Sequence, residues 1–384
     1  MNLLKKILSI KNIKFFPPKK NKILFIGSHN VDLFYKNILN DQHTICDFET
    51  VNLYILLVSL FNKNSKKLRI NYYINFIKYT NPVIIITFTD NYKNFYLLKQ
   101  FFKTKIFISI QNGWRGKLSD FFSEKNLKDF KEEKLQSDYV LTFNDIIGEK
   151  FQEIVDCKII KIGSFRSNIF KIKKFTKKNS VAFISSYKKR DEEYAFNEYK
   201  ILFKDFYMQE KFIVNFLSNY CLKNSLEFFI IPCQSNNEEY NYYKSDQSNK
   251  FNMLPKKNRY CSYEYVDDFQ YLVGTDTTLS YESLFRKNRI AFLNLRKNFL
   301  SKFANDNFDE FRFLWPSKFD QDGPFWTHKI EPNEINRVLN FITKCKDSEW
   351  SEALDDIDKK NYILHDDQNT ILKDLLNKHL ELNA

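Results

Sequence analysis

Val273-Gly274-Thr275-Asp276-Thr277-Thr278-Leu279-Ser280-Tyr281-Glu282-Ser283 is the stretch from which the fold can be read. A short apolar run, 271–273, has the length of a strand and stops at a glycine. An acid among three threonines follows, and then a helical pattern carrying one glutamate. Thr277 or Thr278 suits the N-cap, where a side-chain oxygen accepts a backbone N–H of the first turn. The remaining first-turn N–H groups and the positive end of the helix dipole favour an anion, most often a phosphate. Glu282 lies about one turn further along. A strand feeding a helix through a turn of this kind is the repeating unit of an α/β protein.

Working outward, the same alternation recurs. Segments 23–26, 44–48, 83–88, 106–110, 139–143 and 159–162 read as strands, with helices predicted over 51–79, 91–102 and 145–154. The run 83–88 is apolar or β-branched throughout, as a strand buried on both faces requires. Between 163 and 180 the pattern gives way to a connector carrying Lys171, Lys173, Lys174, Lys177 and Lys178. Beyond it, 181–184, 228–231, 271–273 and 290–293 read as strands. A helical region reaches 222, a polar insertion covers 235–257, and 278–286 reads as a helix. Ile335, Val338, Leu339 and Ile342 recur at helical spacing in the tail. The expected organisation is a basic leader over 1–20, an N-terminal Rossmann-like domain over 21–170, a second over 180–345 and a helical tail over 346–384. The expected fold class is therefore α/β, two Rossmann-like domains facing a central cleft, with ligands at the carboxyl ends of the strands.

Composition narrows the class of partner. The 384 residues leave room for two cores, and 43% hydrophobic with 28% charged residues describes a globular chain. The net charge of +13 suits anionic partners. The lysines are scattered and no zinc-finger, RNP or helix-turn-helix pattern occurs, so nucleic acid is not an expected partner. Six cysteines without a CxxC pair read as reduced thiols of a cytoplasmic protein, and no structural zinc is expected. No apolar run has the length of a membrane span. The first twenty residues carry six lysines and no acid, interleaved with leucine, isoleucine and phenylalanine. Such a leader suits peripheral attachment to the anionic inner face of the plasma membrane. A frayed leader ended by Pro17-Pro18 is the plainer reading.

Six of the seven glycines follow or border predicted strands, and several of these turns carry polar chemistry. Gly27-Ser28-His29-Asn30 lacks the GxGxxG dinucleotide pattern. It offers His29 as a base, or Ser28 and Asn30 as caps for the next helix. Asp90, in Thr87-Phe88-Thr89-Asp90-Asn91, is placed either to deprotonate an acceptor hydroxyl or to cap the following helix. Ile110-Gln111-Asn112-Gly113-Trp114-Arg115-Gly116 suits hydrogen bonding and stacking on a polar ring, with Arg115 for an anion. A structural type I′ turn at Asn112-Gly113 is its alternative. Ser185-Ser186-Tyr187-Lys188-Lys189-Arg190 sets Ser186, Lys188 and Arg190 where a diphosphate could be held, or else is a solvated charge run. In Gly323-Pro324-Phe325-Trp326-Thr327-His328, the histidine either closes over a base or sugar, or merely accompanies two aromatics that bury the returning chain.

Four blocks carry a family resemblance. They are Ile86-Thr87 with Asp90-Asn91, Ile110-Gln111-Asn112-Gly113, Ile162-Gly163-Ser164-Phe165-Arg166 with Asn168, and Gly274-Thr275-Asp276 continuing through Thr278-Leu279 to Tyr281-Glu282-Ser283. Together they resemble bacterial surface carbohydrate biosynthesis proteins, sugar transferases of the GT-B type, over residues 22–350. The resemblance implies a nucleotide-sugar donor in the second domain and a glycan or lipid-linked glycan acceptor in the first. It puts Thr277, Thr278 and Ser280 at the donor phosphates and Glu282 at the ribose, with Gly274, Thr275 and Asp276 in the same turn. Gln111, Asn112, Gly113, Arg115 and His328 are then the acceptor candidates, and Asp90 and His29 the catalytic ones. No metal or cofactor is expected beyond the nucleotide-sugar co-substrate, because a helix dipole and cations stabilise a leaving diphosphate, and Asp276 alone in its turn does not make a DxD motif. The implied function is metal-independent glycosyl transfer to a cell-surface glycan. Transfer of glycerol or ribitol phosphate from a CDP-linked donor, as in teichoic-acid transferases, is the alternative. A non-catalytic sugar- or nucleotide-binding protein is a second.

Overall fold

A computed structural model describes residues 12–39, 43–62, 64–65, 67–115, 121–130, 132–187, 193–196, 199–202, 208–234, 237–244, 250–300 and 322–381. These fall into two units, one drawn from Met1–Asn112, Lys125–Ile169 and Asp366–Ala384, the other from Gly113–Glu124 and Phe170–His365.

Unit 1 is built on six parallel strands: β1 (Ile23–Ile26), β2 (His43–Cys46), β3 (Ile84–Thr87), β4 (Ile106–Ile110), β5 (Gln136–Thr142) and β6 (Asp156–Lys161). Their spatial order is β2-β1-β3-β4-β5-β6. Every residue of β1 and β3 is buried, which accounts for their uninterrupted apolar sequence. The order reverses between β1 and β3, and open parallel sheets bind ligands beyond the strand ends at such a reversal.

Unit 2 repeats the plan with β7 (Lys177–Ile184), β8 (Glu227–Ile231), β9 (Asn252–Met253), β10 (Phe269–Gly274), β11 (Arg289–Leu293) and β12 (Trp326–Thr327). All are parallel, in the order β9-β8-β7-β10-β11-β12. This is the order of the dinucleotide-binding fold, and its reversal lies between β7 and β10. Two short pairings stand apart from both sheets: Asn12–Lys14 with Thr50–Asn52 in parallel, and Glu193–Phe196 with Tyr199–Leu202 antiparallel.

The helices depart from expectation in two places. The helix predicted over 51–79 is two, Leu53–Phe61 and Leu68–Thr80. Asparagines make the break: Asn52 caps the first helix by accepting Ile55 N–H, and the chain leaves helical geometry at Asn62. Asn64 N–H then turns to Asn71 Oδ1 at 2.7 Å. Short amide side chains compete with the backbone in this way and end helices. In unit 2, the described residues of the region predicted helical up to 222 form a helix over Met208–Lys223, and the antiparallel pair Glu193–Phe196 with Tyr199–Leu202 precedes it. Its tyrosines, phenylalanine and isoleucine favour a pleated surface.

Helix Pro332–Lys344 buries Ile335, Val338, Leu339 and Ile342, the four residues singled out by their spacing. The tail is shared: Asp347–Asp355 lies in unit 2 and Thr370–Glu381 in unit 1. Asn168 secures the latter, donating to Asn369 Oδ1 (2.9 Å) and accepting from Asp366 N–H (3.1 Å). Among the described residues no helix is long and apolar enough to cross a membrane.

Candidate functional site

In unit 2 the site is assembled where the strand order reverses. β10 ends at Gly274, where an added Cβ would lie 2.2 Å from Ser280 Oγ and 2.9 Å from Ser280 Cβ. The bare glycine lets helix Thr278–Leu284 approach the strand end. Thr277 is the N-cap, its Oγ1 accepting Ser280 N–H at 3.2 Å and lying 2.7 Å from Ser280 Oγ. Ser280 thus completes the cap from inside the first turn.

Asp276 and Arg296 form a two-pronged ion pair, with contacts of 2.8 and 2.9 Å. Burial by itself would weaken the arginine's charge. Asp276 outweighs that and holds Arg296 above its ordinary pKa, with smaller contributions from Glu210 and Tyr281. Two further strand-end side chains are incompletely satisfied. Thr275 Oγ1 and both polar side-chain atoms of Asn294 are buried with no hydrogen-bond partner among the described residues. Buried polar atoms left this way are costly unless something completes them.

At the end of β7, Ser186 donates through both its N–H and its hydroxyl to Glu210. Tyr243 adds a third donor at 2.5 Å, and its hydroxyl lies 2.7 Å from Ser185 Oγ. Burial pushes the Glu210 carboxyl up to about 7 against these donors, which pull it down. Ser186 is therefore tied to a carboxylate. Lys188 and Arg190, and Gly116 of the earlier turn, lie outside the described residues.

The turn after β4 is divided between the units: Gln111 and Asn112 belong to unit 1, Gly113, Trp114 and Arg115 to unit 2. Neither Asn112 nor Gly113 takes the positive φ of a type I′ turn. Trp114 N–H donates to Thr278 Oγ1 at 3.1 Å, and its ring stacks on Tyr281 with centroids 4.0 Å apart and planes at 11°. Trp114, directly after the Ile110–Gly113 block, thus meets the Gly274–Ser283 block inside unit 2. Arg115 and Glu282 are both buried. His328 follows β12, its N–H donating to Asp322 and its carbonyl accepting from Asn298.

Unit 1 gathers a second cluster at its own reversal. Gly27 has φ +91°, and Phe48 lies where a side chain would stand. His29 is half-buried. Asn30, also at positive φ, begins helix Val31–Asn37 without a side-chain cap bond. Its amide instead donates to Asn112 Oδ1 at 2.9 Å. Asn112 N–H donates to Asp90 Oδ1 at 3.1 Å, and the Asn112 carbonyl accepts from Arg166 at 2.8 Å. Asp90 is buried and does not cap the next helix, which starts at Lys93 behind Tyr92. Gln111 Oε1 accepts Phe143 N–H at 2.8 Å and so ties β4 to the end of β5.

Arg296, Glu210, Tyr243 and Asn294 join these turns from outside every motif of the sequence. Only Arg296 left a signal: an acid among hydroxyls at a strand end calls for a cation, and Arg296 stands three residues past the next strand.

Two units built on six-stranded parallel sheets define an α/β protein of the GT-B type. Solved structures share this fold. A variant of the wall teichoic acid polymerase TagF is 11% identical, with 96% of this chain and 90% of that chain covered and a TM-score of 0.53. A "putative UDP-N-acetylglucosamine 2-epimerase" from Listeria monocytogenes is 9% identical, with 94% and 97% covered and a TM-score of 0.52. At these identities the likeness is one of fold. Residues 108–380 match the model of a family described as "putative O-antigen biosynthesis protein", and the chain belongs to that family. No curated protein matches it.

Proposed function

We propose that the protein is a glycosyltransferase that moves a sugar from a nucleotide-activated donor to a glycan or lipid-linked glycan precursor of the cell surface. The observation that carries this reading is the set beyond the ends of β10 and β11: Arg296 held by Asp276, with the unsatisfied Thr275 and Asn294 side chains. A diphosphate there would meet a fixed cation together with the hydroxyls and first-turn N–H groups that follow β10. Arg296 would supply the countercharge, so the scheme needs no metal and no cofactor. Glu282 is the candidate for the ribose hydroxyls. In unit 1, His29 is the candidate base, because it is half-buried at the end of β1. Asp90, fully buried and accepting the Asn112 N–H, positions that turn. Six cysteines, none in a disulfide, support a cytoplasmic setting.

The test is a donor screen of the purified protein, by calorimetry and product analysis, across UDP-, GDP-, CDP- and CMP-linked sugars and CDP-linked glycerol and ribitol. One nucleotide sugar should bind and turn over, with binding lost in Arg296→Ala. Turnover of CDP-glycerol or CDP-ribitol would establish polyol-phosphate transfer instead. Binding without any turnover would establish a binding protein, and no nucleotide binding at all would remove the donor site.

A further inference from the structure

Helix Leu53–Phe61 carries its polarity reversed. It buries Ile55 and Ser59 and shows solvent Tyr54, Leu57, Leu60 and Phe61, at 38%, 49%, 48% and 85% exposure. No charged residue occurs in it. Its inward side is held by polar groups: Asn71 donates to the Ser59 carbonyl at 2.5 Å and Asn75 to the Asn62 carbonyl at 3.2 Å. A water-facing helix has the opposite arrangement, with its apolar stripe turned to the core.

The apolar surface continues onto the N-terminal segment. Asn12–Lys14 pairs with Thr50–Asn52, the residues that lead into this helix, and Asn52 donates to the Phe16 carbonyl at 2.8 Å. Ile13, Phe15 and Phe16 are 54%, 66% and 85% exposed. Single exposed apolar residues are ordinary, whereas a contiguous set marks an interaction surface. Lys14, Lys19 and Lys20 are exposed along the same segment. Lys20 sits 5.3 Å above the Tyr79 ring, which in turn meets Tyr54 edge-on at 5.2 Å. In sequence, 1–31 and 51–89 hold twelve lysines and arginines and no acid, nearly the whole net charge of +13. Two such faces repel each other, so charge disfavours a second copy as the occupant. Apolar side chains bordered by cations match acyl chains below anionic headgroups.

We infer that helix Leu53–Phe61 and segment 13–16 form a docking face for an anionic lipid bilayer. Tyr54, Leu57, Leu60, Phe61 and Phe16 enter the acyl boundary, while Lys14, Lys19 and Lys20 meet headgroup phosphates. The face belongs to unit 1 and stands independently of the donor assignment.

The experiment is flotation of the full chain with vesicles of phosphatidylcholine and phosphatidylglycerol at about 2:1, beside vesicles of phosphatidylcholine alone. The protein should float with the anionic vesicles, less with the neutral ones, and less as salt is raised. The triple variant Leu57→Ser, Leu60→Ser, Phe61→Ser should weaken binding at least about tenfold. Changing Lys14, Lys19 and Lys20 to glutamine should weaken it by about fivefold per lysine. All six side chains are exposed, and unchanged melting of each variant confirms that the fold is kept. Flotation of the triple variant equal to that of the parent, or equal flotation with neutral and anionic vesicles, overturns the proposal. So does a dimer that the triple variant dissociates without loss of flotation, because a second copy would then be the occupant.

Discussion

Both carboxylate oxygens of Asp276 are engaged by the Arg296 guanidinium, at 2.8 and 2.9 Å, so this acid of the β10 turn serves to hold a cation. The two side chains are 5% and 14% exposed, shielded enough that losing one partner strands the other's charge. Asp276→Ala should therefore cost about 3–5 kcal/mol of stability, read from urea denaturation. Arg296→Lys keeps the charge and loses the fork, and should weaken donor binding more than it weakens the fold. Equal stability of Asp276→Ala and parent would show that the pair is not shielded.

Gly274 and Ser280 occupy one another's space in a way that admits no side chain on the glycine. With Ser280 fully buried and its Cβ only 2.9 Å from the built methyl, rotating the hydroxyl away relieves part of the clash. Gly274→Ala should lower stability by about 1–3 kcal/mol. Ser280→Ala keeps the backbone bond to Thr277 and removes only the hydroxyl contact, so it should cost about 0.5–1.5 kcal/mol. Thermal unfolding of both variants checks the order, and Gly274→Ala melting with the parent would show that the helix can withdraw freely.

These pairs also mark how far the sequence could be read. Strands 23–26 and 106–110 were legible to the residue, because burial on both faces leaves an apolar run with polar ends. The cap was legible to within one residue, as Thr277 or Thr278, because its partner lies three residues away. Partners far apart in sequence were not. Ser186 resembled a phosphate ligand until Glu210, 24 positions on, took both its donors. Asn30 suited a helix cap, yet its amide goes to Asn112, 82 positions on. The break at Asn62 escaped notice because apolar spacing continues across it while amide side chains end the helix.

Glu210 should make stability depend on pH in a recognisable direction. Its carboxyl titrates near 7 in the folded protein against an ordinary 4.5, chiefly through burial. Between those values the folded state holds a proton that the unfolded state has released. The stabilisation is therefore complete below pH 4.5 and is lost as pH rises through 7, by on the order of 3 kcal/mol. Glu210→Gln stays neutral throughout, so melting measured at pH 5 and pH 8 should fall less in the variant than in the parent. The same fall in both would place the titration elsewhere.

Asp90→Asn separates the two catalytic candidates of unit 1. The amide retains an oxygen able to accept the Asn112 N–H, so the turn that joins Asn30, Asp90 and Asn112 should survive. If Asp90 only positions this turn, kcat should stay within about threefold of the parent, since a positioned base contributes at least 10²-fold. Asp90→Ala leaves the Asn112 N–H without this acceptor and should cost about 1–3 kcal/mol of stability, with kcat falling in step. If His29 is the base, His29→Gln should lower kcat by about 10²–10⁴-fold with donor affinity unchanged. The donor for these assays is whichever nucleotide sugar the screen identifies, and single-turnover rates separate the chemical step from binding. Asp90→Asn that abolishes turnover while folding and donor affinity are intact would make Asp90 the base and leave His29 without that role.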